Sequence, residues 1–146
     1  TPHNLFYAGL VGVSRHVKGV QKPGRYGVNN AEVGWQINCD GACGELAVAK
    51  WLGHFWDGAM GDFSARDVGH LQVRTSSRDW GDLLLHPTDA DDDQFILVLS
   101  HDAPRFTLRG WITGREGKRQ DWWRDVAKGR PAFCVPQDTL HPMEEL

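Results

Sequence analysis

Between positions 45 and 74 this chain gathers Glu45, Asp67, His70, Gln72 and Arg74: two carboxylates, an imidazole, a carboxamide and a guanidinium. If the segment from Ala42 to Trp56 is a helix turning about 100° per residue, then Ala42, Leu46, Val48, Ala49, Leu52, Phe55 and Trp56 form one apolar arc. Glu45 falls near its middle, while Lys50 and His54 take the opposite side. A carboxylate aimed at a core is costly unless it is paired, hydrogen-bonded or bound to a metal. Glu45 therefore needs a cationic or hydrogen-donating neighbour, and Arg74 is the obvious candidate for it or for Asp67 in an ion network.

The segment that supplies these groups reads as a strand. In His70-Leu71-Gln72-Val73-Arg74 the residues alternate, which sends Leu71 and Val73 to one face and His70, Gln72 and Arg74 to the other. Gly69 lies between Asp67 and this strand and allows a bend or bulge that turns Asp67 toward the polar side.

The order helix Glu, Asp before a strand, then two alternate polar residues resembles the PD-(D/E)XK nuclease superfamily. The matching positions are Glu45, Asp67 and Gln72-Val73-Arg74, within a region of similarity from about residue 42 to 114. Small stand-alone phage and prokaryotic members are also similar at Gly110-Trp-Ile-Thr-Gly114, a strand-to-helix junction. The resemblance implies a restriction-endonuclease-like fold and a Mg²⁺- or Mn²⁺-dependent nuclease that hydrolyses DNA in recombination, repair or processing. It implies that Glu45, Asp67 and the Gln72 amide oxygen hold the metal, that Arg74 steadies phosphate oxygens, and that His70 relays a proton or contacts the DNA backbone. It also allows a homo-oligomer, since many members act as dimers or larger rings. Two positions depart from the family pattern. Gln72 replaces the usual acid, which removes a charge and should weaken metal binding. Arg74 replaces the usual Lys and, with its very high pKa, cannot act as a general base. The alternatives are a non-catalytic relative that binds nucleic acid or protein, and a virion assembly component.

Further elements must carry this site. Leu83-Leu84-Leu85 is a short apolar run; Gln94 to Ser100 is too continuously apolar for a half-exposed strand and reads as central. Phe106 to Thr113 reads as a strand, Arg115 to Lys128 as a helix that docks Trp122, Trp123 and Val126, and Ala132 to Val135 as a last strand. The expected fold is α/β, a single domain over 1–146 with a central mixed sheet flanked by helices. Residues 1–38 form a basic Gly-rich segment with one short strand or helix around Ala31 to Ile37, residues 39–135 the motif-bearing core, and 136–146 a tail of turns.

A chain of 146 residues that is 40% hydrophobic with 7 Trp can bury a core without staples. The net charge of −3 does not advertise a nucleic-acid binder, so DNA contact must come from a local basic surface. Thr1 to Ala31 contains Arg15, Lys18, Lys22 and Arg25 and no acid, and Ser14 to Gly27 has the composition of a loop or arm that follows phosphates. Asp89-Ala-Asp-Asp-Asp93 lacks the Gly and distal Glu of a calcium loop and reads as a turn between strands. Cys39, Cys43 and Cys134 form no paired framework, which fits a reducing interior. With no signal peptide or membrane-spanning run, the expected location is cytoplasmic, in the host cell if the protein is phage-encoded, with no membrane partner.

Overall fold

The chain begins with a helix signal: Thr1 caps the first turn, its hydroxyl accepting from the Asn4 N–H, and Pro2 occupies the first helical position. The computed structural model describes residues 1–21, 31–58, 66–127 and 129–146. Helix α1 spans Pro2–Val20 and α2 spans Ala31–Leu52. The two pack closely because glycine permits it. A methyl group on Gly12 would come within 2.6 Å of the Cys39 Cα, and one on Gly34 within 2.6 Å of the His16 ring. His16 in turn packs on Trp35, ring centres 4.1 Å apart.

Strand β1 (Leu71–Ser76) pairs in parallel with β3 (Gln94–Leu99), and β3 pairs antiparallel with β4 (Thr107–Thr113). A second, antiparallel sheet has the order β2 (Leu83–Leu85), β6 (Arg130–Val135), β5 (Trp123–Ala127). The expected central strand is β3, and both of its faces are covered. Ile96 and Val98 join Ala42, Val48, Ala49, Leu71 and Val73 in a core beneath α2. Phe95, Leu97 and Leu99 join Leu83, Leu85, Ile112 and Val135 in a second core between the sheets. This two-sided burial explains the uninterrupted apolar run. The result is one small α/β domain, layered as helices, mixed sheet and antiparallel sheet. Among the described residues no helix is long and apolar enough to cross a membrane.

Several elements differ from those expected. The basic segment is not a loop up to residue 20: α1 includes Ser14 to Val20, with Arg15 and Lys18. Lys22 and Arg25 lie outside the described residues. The helix carrying Glu45 starts earlier and ends at Leu52, where Gly53 takes a positive φ of 69°; Phe55 and Trp56 follow it. The helix expected over Arg115 to Lys128 is a single turn, α3 (Gly114–Gly117), then a 3-10 turn (Gln120–Trp122) and β5. Pairing of Trp123, Arg124 and Asp125 with β6 outweighs the helical spacing of the apolar residues. One face of the mixed sheet meets α2, and its other face meets a sheet instead of a helix.

Candidate functional site

Of the polar residues predicted to act together, Glu45 and Asp67 approach one another where α2 crosses β1. Gly44 makes that crossing close, since a methyl group there would lie 2.2 Å from the Thr75 hydroxyl. One residue later, Glu45 enters the interior with 5% of its surface exposed. Its partner is Arg15 of α1, not Arg74. The guanidinium donates Nη1 to Oε1 at 2.5 Å and Nη2 to Oε2 at 2.8 Å. The Trp56 indole Nε1 donates to Oε2 at 3.1 Å. Both carboxylate oxygens are thereby satisfied, as burial of a charge demands.

Asp67 reaches the same region through a tight turn. Gly69 adopts φ 59°, and Val68 and Leu71 exchange backbone hydrogen bonds across the turn. The bend anticipated at Gly69 folds Asp67 alongside β1, where its Oδ2 accepts from the Val73 N–H at 2.7 Å. Burial pushes the Asp67 carboxyl above its ordinary range; the Val73 N–H, Arg74 and Arg15 oppose that rise, and Asp89 adds to it. Burial likewise raises Glu45, opposed by the Arg15 hydrogen bond and reinforced by the charge of Asp67. In both carboxylates burial outweighs the arginines that favour the charged form.

Arg74 turns from this pair toward the loop after β2. Its Nη2 donates to both Asp89 oxygens at 3.1 Å, and its guanidinium lies 5.1 Å from the Phe95 ring centre. Its Nε is buried with no hydrogen-bond partner among the described residues. Gln72 Nε2 is 3.5 Å from Asp93 Oδ2, and Arg66 Nη2 donates to Asp93 Oδ1 at 2.8 Å. His70 is exposed at the rim, its Nε2 3.1 Å from Gln94 Oε1.

Glu45 and Asp67 thus come within electrostatic reach and Arg74 also acts on Asp67, whereas the side chains of Gln72 and His70 lie with Asp93 and Gln94 at the start of β3. Sequence reasoning missed Asp89, Asp93, Trp56 and the role of Arg15. The acidic run was visible as a turn between strands. Parallel pairing of Leu71 with Gln94 brings the start of β3, and so Asp93, beside the start of β1. Lys18 is exposed on α1. Among the described residues no group of three or more His, Cys, Asp or Glu is placed to hold a metal ion. What the arrangement offers is a buried and a half-buried carboxylate as hard oxygen ligands, and an arginine beside Asp67 suited to oxyanions. Compared with family models, curated proteins and solved structures, the chain matches none.

Proposed function

We propose that this protein is a divalent-cation-dependent nuclease of PD-(D/E)XK type, with a restriction-endonuclease-like core, that hydrolyses DNA phosphodiester bonds. The observation that carries the reading is the pair Glu45 and Asp67. They are delivered by α2 and by the turn before β1; burial raises the proton affinity of both, and the charge of Asp67 raises that of Glu45 further. The chemistry of the donors suits Mg²⁺ or Mn²⁺: two carboxylates, to which Gln72 would add its amide oxygen by turning away from Asp93. Glu45, Asp67 and Gln72 would hold the ion, which supplies an activated water and polarises the phosphate.

The chain's own residues have separate tasks. Arg15 holds Glu45 ionised within the core while the carboxylates lack another cation, and it must yield Oε1 or Oε2 for Glu45 to act as a ligand. Arg74 carries a permanent charge and binds phosphate oxygens once it releases Asp89; it accepts no proton. His70, exposed beside Gln94, would contact the DNA backbone or relay a proton through Nε2 or Nδ1. Asp67 retains the Val73 N–H, which fixes its carboxylate plane.

A second reading is a non-catalytic module that binds nucleic acid. It is favoured by the engagement of both Glu45 oxygens with Arg15 and Trp56 and of Arg74 with Asp89. Titration of Mn²⁺, followed by the loss of the free-ion resonance, separates the two. The nuclease reading expects Mn²⁺ bound by the native chain and lost in Asp67→Asn, an isosteric change that keeps the Val73 hydrogen bond. Native protein that binds no Mn²⁺ but retains DNA in a salt-sensitive manner supports the module instead.

A further inference from the structure

Helix α1 is apolar on two opposite sides, and among the described residues only one of them is covered. Ala8, Val11 and Gly12 are buried against the rest of the fold, as are His16 and Gly19. Phe6, Leu10, Val13, Val17 and Val20 point the other way, exposed by 71, 50, 39, 44 and 70%. Their spacing is four, three, four, three, the interval that forms a straight seam along a helix supercoiled with another. A helix that is hydrophobic all round is ordinarily covered all round.

We propose that α1 is the interface of a homodimer, in which this seam packs against the same seam of a second copy across a two-fold axis. Charge favours a second copy. No ionisable side chain interrupts the seam, and at about 100° per residue Arg15 and Lys18 project more than 100° away from its centre, so two copies approach without repulsion. The seam equally lacks the charges that would select an unlike partner. A membrane-surface helix would set a lysine- and arginine-rich face against its apolar one. In α1 the opposite face is docked on α2, and Arg15 there is bound to Glu45.

Size is also adequate. The helix of 19 residues runs about 28 Å. With the flanking Leu5 and Tyr7, its exposed apolar surface is on the order of 500 Å² per copy, which doubled reaches the lower bound of a specific interface, about 1,000 Å². Beside the seam, a methyl group on Gly9 would meet nothing within 4 Å among the described residues, which leaves room for a second helix to approach closely. Because Arg15 belongs to the same helix, pairing would also brace the side chain that holds Glu45. The proposal does not depend on the nuclease reading.

Light scattering after size exclusion, over about 1 to 100 µM, tests it. The expected result is twice the 16.4 kDa chain mass at high concentration. Val13→Glu with Val17→Glu should weaken association at least about 100-fold, since both charges would be desolvated. Trp80→Glu, an exposed aromatic off the seam, should leave the dimer unchanged. If the double glutamate variant does not fold, Leu10→Ala with Val17→Ala keeps helix propensity and should still shift the equilibrium toward the single-chain mass. A native mass of 16.4 kDa throughout overturns the proposal, as does a dimer insensitive to the seam variants or abolished by Trp80→Glu. Native protein that stays monomeric but binds anionic phospholipid vesicles would assign the seam to a lipid surface instead.

Discussion

Replacing Glu45 by Gln changes few atoms and reverses one hydrogen-bonding role in a place where no reversal can be absorbed. The native carboxylate accepts from Arg15 at Oε1 and from both Arg15 and Trp56 at Oε2. A carboxamide must put its NH₂ at one of these sites, donor against donor in either orientation. The side chains are 6% and 15% exposed, so water cannot relieve the conflict. Breaking one partner of a buried pair costs about 3–5 kcal/mol. Arg15→Met should cost a similar amount, because Glu45 must then either stay charged in the core with only the indole as donor or take up a proton. The double variant Arg15→Met with Glu45→Leu removes both charges. Its cost should be about 1–3 kcal/mol, mostly the Trp56 N–H left without an acceptor. Glu45→Leu alone strands the Arg15 guanidinium and should also cost about 3–5 kcal/mol. The cycle of Arg15→Met, Glu45→Leu and the double variant, read by urea unfolding and tryptophan fluorescence, then has a coupling of at least about 3 kcal/mol. Single variants that each cost less than about 1 kcal/mol and combine additively would refute the buried pair as the reason Glu45 faces inward.

Asp67 and Glu45 both titrate above their ordinary range because of burial, so the stability tied to their protonated forms is full at low pH and is lost as pH rises through the folded-state values. In thermal melts from about pH 4 to pH 7, Asp67→Asn should gain on the native protein as pH increases; a gap that stays constant or moves the other way contradicts this. Gly12→Ala sets a methyl 2.6 Å from the Cys39 Cα, a backbone atom that cannot rotate aside, so it should cost about 1–3 kcal/mol in denaturant melts, and no loss would contradict the close helix contact. Thr113 caps α3 and donates its hydroxyl to Glu116 at 2.7 Å, the main reason Glu116 titrates below its usual range. Thr113→Ala should cost about 1 kcal/mol and bring the Glu116 titration, followed by NMR, back upward.

The strands were legible because their burial is simple. The run around β3 is apolar throughout since both of its faces are covered, and β1 alternates since only Leu71 and Val73 face the core. Helix α1 was not legible. Its apolar residues occupy two opposite stripes, which blurs the single periodicity expected of an amphipathic helix, and Gly9, Gly12 and Gly19 resemble loop composition although Gly12 serves helix contact. The segment from Trp122 to Val126 has helical spacing but pairs with β6, a preference set by a partner distant in sequence. At the site, the inward position of Glu45 and the bend at Gly69 followed from local geometry. The pairing of Glu45 with Arg15, and of Arg74 with Asp89, depends on which elements become neighbours, and nothing in the spacing of those residues encodes that.

The central claim is that Asp67 and Glu45 form the cation site of a DNA-hydrolysing enzyme, and cleavage tests it most directly. Plasmid, linear duplex, single-stranded and branched DNA would be incubated with native protein and with Asp67→Asn, in Mg²⁺ or Mn²⁺ and in excess chelator. The account predicts cation-dependent cleavage of at least one substrate, lost in Asp67→Asn while its circular dichroism remains native. No cleavage of any substrate, or cleavage that persists in folded Asp67→Asn, would contradict it.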